Sequence, residues 1–286
     1  MPEPFSLLLP VYRADRPDFL AAAFVSTVVH QDRPPAEVVI VRDGPVGPEL
    51  THELDRLIRE SPVPVRLVPS EVNVGLAAAL TLGLAETSHE IVARMDADDI
   101  SYSTRFAVQL PMIESGLDLV GSAMHEFVAD EVGNRRNVGM RIPPLDHAAI
   151  LARLPFHNPF NHPSVVYRRS AVDAAGGYQP LGTMEDYWLW ARMLAAGARA
   201  ANAEQPLIAY RTDAGAYARR GGLPLLRTEL ELQRALRSIG ATTAVQHARN
   251  VVVRGGYRLV PERLRRLAYR RAFVEVGPTV GEVADD

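Results

Sequence analysis

The chain has 286 residues, 31 basic and 34 acidic side chains and a formal net charge of −3, which suits one large α/β domain with an appendage, or two small domains, and lacks the basic excess of a general nucleic-acid binder. Cysteine is absent and all 31 basic residues are arginine, so disulfide scaffolds, thiolate nucleophiles, Cys-ligated zinc, Walker A loops and Schiff-base lysines are excluded. No apolar run reaches the ~18 residues that span a bilayer, and residues 1–10 carry no secretory-signal pattern, so the expected compartment is the cytoplasm.

Residues 6–12 read as a buried first strand that stops at Pro10, and residues 19–30 have helical spacing. A second strand over 37–41 runs into the turn Arg42-Asp43-Gly44-Pro45, followed by a helix over 49–60 and a third strand over 63–68. Asn73 and Gly75 introduce an alanine- and leucine-rich helix over 75–85. A fourth strand over 90–95 ends directly in Asp96-Ala97-Asp98-Asp99. The alternation predicts a largely parallel sheet flanked by helices. Ligands of such sheets bind at the carboxyl ends of the strands, so Asp43 and the Asp96–Asp99 cluster should face one crevice.

Further on, residues 107–115 look helical, 117–127 strand-like, and 130–144 a loop or hairpin. Residues 183–196 form a helix carrying both tryptophans and ending at Gly197. From about Ala214 the chain turns helical and arginine-rich. The expected division is 1–213 for the α/β domain and 214–286 for a C-terminal helical extension, with 277–286 disordered.

Asp96 and Asp98, two apart on an extended turn, are placed to hold a divalent cation with ribose or phosphates beside it, because Mg²⁺ and Mn²⁺ prefer carboxylate oxygens and bridge to substrate phosphates. The alternative is an acidic surface turn capping a helix that starts near Ser101. The preceding buried strand, and Arg94 as a cation placed to attract phosphate, favour the site. Asp43 is either an acceptor for the N3–H of a uracil or an ordinary turn residue. Asn73-Val74-Gly75 either presents backbone amides to a phosphate or ribose or simply caps its helix. Glu185 and Asp186, followed by Tyr187-Trp188-Leu189-Trp190, pair a general base with a sugar-stacking ring; otherwise they open an amphipathic helix with Trp190 in the core. Trp188 and Trp190 point in different directions on a helix, so at most one meets substrate. His162 is a candidate contact to phosphate, metal or acceptor, or a hydrogen-bonded structural histidine.

The order of these motifs resembles family 2 glycosyltransferases of the GT-A fold, especially bacterial enzymes of exopolysaccharide and cell-surface glycan assembly. The matching segments are Leu9-Pro-Val-Tyr12, Val39-Ile-Val-Arg-Asp-Gly-Pro45, Asn73-Val-Gly-Leu-Ala-Ala-Ala-Leu80 and Ala93-Arg-Met-Asp-Ala-Asp-Asp-Ile100 with Arg105. Asn158-Pro-Phe-Asn-His-Pro163, Ala175-Gly-Gly-Tyr178, Glu185-Asp-Tyr-Trp-Leu-Trp190 and Tyr210-Arg211 follow, so that residues 5–211 are covered. The resemblance implies an α/β GT-A fold, Rossmann-like, with a C-terminal helical appendage. It implies a nucleotide pocket lined by Pro10, Tyr12, Asp43 and Asn73, with Asp96 at the ribose or metal; Arg94, from its place before the triplet, is the candidate contact to the phosphates. Asp98 would be the main ligand of a Mn²⁺ or Mg²⁺ ion, with Asp96 beside it. Asp186 would be the catalytic base next to Glu185; Trp188 and His162, read from their local sequence, are the candidates to meet sugar or acceptor. The implied reaction moves a sugar from a nucleotide diphosphate, UDP by family habit, to a hydroxyl of a glycan or lipid-linked acceptor, in one inverting displacement. Two departures are Arg42, where many relatives carry Asp, and the lack of a histidine soon after Arg211, which leaves a third protein ligand open.

A sugar nucleotidyltransferase would need a Gly-rich N-terminal loop and a lysine, and neither is present. A non-catalytic sugar-nucleotide-binding partner of a synthase complex is disfavoured by the retained Asp98 and Asp186. In the C-terminal segment, Arg249, Arg254, Arg258, Arg263, Arg265, Arg266, Arg270 and Arg271 face one acid, Glu262. A helix from Val260 would place an arginine-flanked apolar face against an anionic membrane surface at the inner side of the plasma membrane, or against the catalytic domain. A homo-oligomer is left open.

Overall fold

The computed structural model describes residues 3–129, 135–212 and 222–259. Four strands come first: β1 (Phe5–Tyr12), β2 (Glu37–Asp43), β3 (Val65–Pro69) and β4 (Ile91–Arg94). Every pairing among them is parallel. Helices α1 (Pro17–Phe24), α2 (Pro48–Glu60) and α3 (Leu76–Ala85) supply the crossovers that parallel strands require. Both faces of β1 are therefore covered, and its residues from Phe5 to Val11 are all buried. Such a strand reads as a continuous apolar run instead of an alternating one.

The first strand does not stop at Pro10. It continues to Tyr12, with Pro10 opposite Val41 of β2. The carbonyl of Leu8 accepts from Met95 N at 3.1 Å, on the β4 side. Pro10, two residues later, turns its missing N–H to that same side, where β4 has already ended, so no ladder bond is lost.

The second half adds β5 (Ile100–Ser101), α4 (Arg105–Glu114), β6 (Leu119–Ala129), β7 (Arg135–Arg141), α5 (His147–Arg153), β8 (Val166–Arg168), α6 (Arg169–Ala174), α7 (Glu185–Ala195) and β9 (Ala200–Arg211). The sheet order is β3-β2-β1-β4-β8-β6-β9-β5, with β7 paired to β6. Its parallel character holds for the first four strands. The remainder is mixed: β8 runs antiparallel to β4 and β6, and β9 parallel to β6. The expected loop or hairpin over 130–144 is a hairpin in its described part, since β7 pairs antiparallel with β6.

Core packing fixes where the site sits. Helix α3 lies close on the sheet at Gly83, where an added Cβ would come within 2.4 Å of side-chain atoms of Leu8 and Val41. Trp190 of α7 is fully buried, with ring contacts to Phe160, His162, Tyr167 and Tyr178. Truncating such a side chain typically costs ~3–5 kcal/mol. Trp190 is thus a core residue that anchors the middle of α7.

The chain closes with α8 (Leu223–Ser238) and α9 (Ala244–Leu259). Leu232 and Leu236 of α8 belong to the same apolar cluster as Trp190, so the helical pair shares the core of the sheet domain. Among the described residues, no helix is long and apolar enough to cross a membrane. The expected amphipathic helix from Val260 and the tail over 277–286 lie outside the described residues.

Candidate active site

The carboxyl ends of β1, β2 and β4 meet at one edge. Tyr12 and Asp43 are register partners at the ends of β1 and β2, and Tyr12 is 46% exposed there. Asp43 is buried. Its carboxylate accepts from Asn73 Nδ2 (2.9 Å), Val74 N (2.6 Å) and Gly75 N (3.1 Å). Of the two readings of Asn73-Val74-Gly75, amides open to a phosphate or ribose and a plain helix cap, the first does not hold for Val74 and Gly75, whose amides are spent on Asp43. Three bonds leave one of the carboxylate's roughly four acceptor positions open. Gly44 has φ +85°, and a Cβ there would lie 2.7 Å from Asn73 N. The Asp43-Gly44 turn therefore both allows the Asn73 loop to approach and binds it in place.

The acidic cluster follows β4. Ligand oxygens of Asp96, Asp98 and Asp99 all lie within 4.8 Å of one another. Arg94, expected to face a phosphate, is instead buried, and its guanidinium forks onto Asp96: Nη1 bonds Oδ2 at 2.6 Å and Nη2 pairs with Oδ1. Burial disfavours the Arg94 cation, but the charge and hydrogen bond of Asp96, with Tyr178 and Asp99, together outweigh this, and its pKa is raised. Asp99 is fully buried; Oδ1 accepts from Arg211 N at 2.8 Å, while Oδ2 has no hydrogen-bond partner. Arg211 Nε also donates to the Asp98 carbonyl (2.9 Å), and its guanidinium carbon sits 3.6 Å from the centroid of the Phe19 ring. The end of β9 thus closes over the cluster. Burial, and then Asp96, push the Asp98 carboxyl up to about 6. Asp99 is raised well above the usual range by burial and by Asp98 and Asp96.

Asp15 is a site residue that the sequence reading missed. It accepts from Tyr12 N at 2.8 Å, and it is raised to about 7 by burial, with the charges of Asp98 and Asp96 adding to the effect. A lone aspartate in the loop after β1 has no motif to mark it. Arg105, which closes the Ala93–Ile100 motif in sequence, is fully buried, and its Nη2 donates to the carbonyl of Arg94 at 2.7 Å. It fastens the end of β4 from below.

Helix α7 opens with Glu185 and Asp186. Asp186 Oδ2 accepts from Asn158 Nδ2 at 2.6 Å, and Oδ1 from Tyr187 N at 2.7 Å. Burial still raises its pKa. Glu185 is buried, Oε2 has no hydrogen-bond partner, and burial followed by the Asp186 charge lifts it to about 7. The charges of Arg94 and Asp96 both reach Glu185, so the start of α7 lies near the end of β4. His162 has Nε2 3.4 Å from the Tyr178 hydroxyl, and burial and Arg94 hold it well below its usual pKa, as a neutral ring. Trp188 is engaged by the loop before α7, where Nε1 donates to Gln179 Oε1 at 3.0 Å, and Arg192 lies 5.1 Å over its ring.

A parallel half-sheet whose strand end carries an acidic triplet, with a carboxylate pair at the start of α7 that feels its charge, defines the class: this is a glycosyltransferase with the GT-A fold. The family follows from comparison. The model of glycosyl transferase family 2 matches residues 6–176, and the chain belongs to that family. The amylovoran biosynthesis glycosyltransferase AmsE of Erwinia amylovora is 34% identical over 270 residues, covering 93% of this chain and 98% of the relative. The UDP-Gal:alpha-D-GlcNAc-diphosphoundecaprenol beta-1,3-galactosyltransferase of Escherichia coli is 30% identical over 271 residues, covering 94% and 96%. Among solved structures, S. aureus TarS in complex with UDP-GlcNAc superimposes with a TM-score of 0.61 at 14% identity, over 89% of this chain and 72% of that one. The mannosyltransferase PcManGT from Pyrobaculum calidifontis, in complex with GDP-Man and Mn²⁺, gives 0.62 at 17% identity, over 95% and 76%.

Proposed function

We propose that the chain transfers a sugar from a UDP-sugar to a hydroxyl of a glycan or lipid-linked acceptor, in one inverting displacement assisted by a divalent cation. The observation that carries this reading is the acidic triplet at the end of β4, with Glu185 and Asp186 at the start of α7 near enough for its charge to act on Glu185. In the proposed complex, Tyr12 stacks on the base, and the open position on the Asp43 carboxylate takes a uracil N–H. The residues fit a cation: hard carboxylate oxygens cluster there, and the buried Oδ2 of Asp99 lacks a partner. Asp98 and Asp96 would hold Mn²⁺ or Mg²⁺, with Asp99 behind them; when bound, such an ion neutralises charge on the departing diphosphate.

The protein's own part is positional and basic. Asp186, held by Asn158, accepts the proton of the acceptor hydroxyl as that oxygen attacks the anomeric carbon from the face opposite the nucleotide. Inversion follows from this single displacement. Arg94 orients Asp96 within a crowd of carboxylates. A bacterial surface-glycan acceptor is supported by the relatives' names, amylovoran biosynthesis in one and a diphosphoundecaprenol-linked acceptor in the other. A lipid-linked acceptor in turn supports peripheral binding to an anionic membrane. The test is a panel of UDP-, dTDP- and GDP-sugars with Mn²⁺, read first by thermal shift and then by nucleotide release. Stabilisation and turnover with a UDP-sugar support the reading; stabilisation without turnover on any acceptor or water moves the protein to a binding role.

A further inference from the structure

We infer that Arg254, on the C-terminal helix α9, is a positioning residue for the transfer reaction, holding Asp186 in place through residues 154–158. The inference rests on the reading of Asp186 as the base. Three consecutive carbonyls of that segment are each tied down. Leu154 O accepts from Tyr187 Oη at 2.5 Å and Pro155 O from Asn250 Nδ2 at 2.6 Å, while Phe156 O accepts from Arg254 Nη1. Two residues further on is Asn158, whose Nδ2 donates to Asp186. The Arg254 guanidinium also lies 5.7 Å from the centroid of the Tyr187 ring, and Tyr187 directly follows the base. Arg254 therefore touches both strands of the support: the segment that delivers Asn158 and the helix that carries Asp186.

Arg254 is itself held rigidly. Its Nε and Nη2 fork onto Glu229 of α8 at 2.6 and 3.1 Å. Glu229 is fully buried and also accepts from Arg258 Nη2 (2.8 Å) and Gln233 Nε2 (2.9 Å). A buried carboxylate saturated by charge-assisted donors has one arrangement, and a forked arginine passes that geometry on. A merely solvated surface arginine would carry no such chain of bonds. Asn250 reinforces it, since the same Nδ2 bonds Gln233 Oε1 at 3.0 Å. The C-terminal helices are in this view a brace of the active site.

The experiment uses the full chain and the UDP-sugar that turns over in the donor panel. Arg254→Gln removes the fork; it should lower kcat about tenfold or more, since small misplacements of a reacting group are costly. The donor KM and the stabilisation by UDP with Mn²⁺ should stay within about twofold, and amide exchange over 154–160 should quicken. Combined with Asn158→Ala, the loss in kcat should be no greater than that of the worse single variant, because both act by one route. Arg254→Lys should recover part of kcat. Wild-type kcat in folded Arg254→Gln, or losses that add in the double variant, would overturn the inference. If Arg254→Gln does not fold, Asn250→Ala decides: faster exchange over 154–160 must come with lower kcat, and faster exchange with unchanged kcat overturns it. Asp186→Asn is the control. If it retains full turnover, the base reading itself fails; if it is inactive while Arg254→Gln is normal, only the positioning role falls.

Discussion

Asn158 Nδ2 lies 2.6 Å from Asp186 Oδ2, so the residue read as the base is oriented before any acceptor arrives. Its other oxygen accepts from the amide of Tyr187, at the first turn of α7. Each oxygen keeps a free acceptor position for an incoming hydroxyl proton.

Replacing Asp186 with Asn preserves that shape but removes the proton acceptor. Transfer should fall by ~10²-fold or more, while stabilisation by UDP and Mn²⁺ stays at the wild-type level. Steady-state kinetics beside thermal shift separates the two effects. A normal rate in this variant, with a large loss in Glu185→Gln, would assign the proton to Glu185.

Asp98→Ala should abolish turnover and remove the part of UDP stabilisation that depends on Mn²⁺, with the fold intact by circular dichroism. UDP binding measured in chelator should be equal in variant and wild type. Full activity of the wild type in excess chelator would contradict the metal reading.

The acidic triplet was legible because it follows an apolar run, and the strand it ends is indeed buried throughout. The different directions of Trp188 and Trp190 were legible too, from helical geometry alone. What escaped were relations between distant positions. Nothing local to Asp43 shows that its carboxylate accepts from Val74 and Gly75, some thirty residues away. The fork of Arg94 onto Asp96 was hidden for another reason: an i, i+2 pair at a strand end can share a face or not, depending on the turn. The insertion of β8 between β4 and β6 breaks the parallel pattern through contacts that no local periodicity encodes.

The raised carboxyls predict a pH dependence of stability. Between the unperturbed 4.5 of Glu185 and its folded value of about 7, the folded protein keeps a proton that the unfolded chain releases. The same holds for Asp15, from 3.8 to about 7. The folded state thus binds more protons in this window, and stability in chelator should fall as pH rises from about 4.5 to 7. In Glu185→Gln the decline should be shallower. Melting temperatures for the two proteins should therefore differ more at pH 8 than at pH 4.5, with the variant the more stable at pH 8. Parallel curves would show that Glu185 ionises in the folded state as it does in the unfolded chain.

Asp43→Ala leaves the amides of Val74 and Gly75 and the side chain of Asn73 without their shared acceptor. Stability should drop by about 2–3 kcal/mol, the usual cost of orphaning donors to a charged group. UDP affinity should fall together with it, because the loop facing Tyr12 loses its anchor. Chemical denaturation and UDP titration check the two parts, and undiminished UDP affinity would remove Asp43 from the nucleotide pocket.

The last prediction concerns the membrane. Helix α9 turns Arg254 and Arg258 inward to Glu229. Its other side leaves Val245, Val252 and Leu259 exposed at 80%, 73% and 59%, spaced seven residues apart and so stacked along one stripe. No acid occurs in α9, and the sequence beyond it adds Arg263, Arg265, Arg266, Arg270 and Arg271 against the single acid Glu262. An apolar stripe continued by basic residues suits the surface of an anionic bilayer, where each basic side chain adds ~1 kcal/mol and salt weakens the attraction. The full chain should co-sediment with phosphatidylglycerol vesicles at low salt, less at high salt, and little with phosphatidylcholine alone. Removing residues 260–286 should cost most of the salt-dependent part. Serine at Val245, Val252 and Leu259 should cost the remainder, without disturbing the buried face that carries Asn250 and Arg254. The alternative, helices that only brace the active site, predicts unchanged partitioning in both variants, and that result would confine α9 to its contacts with the 154–158 segment.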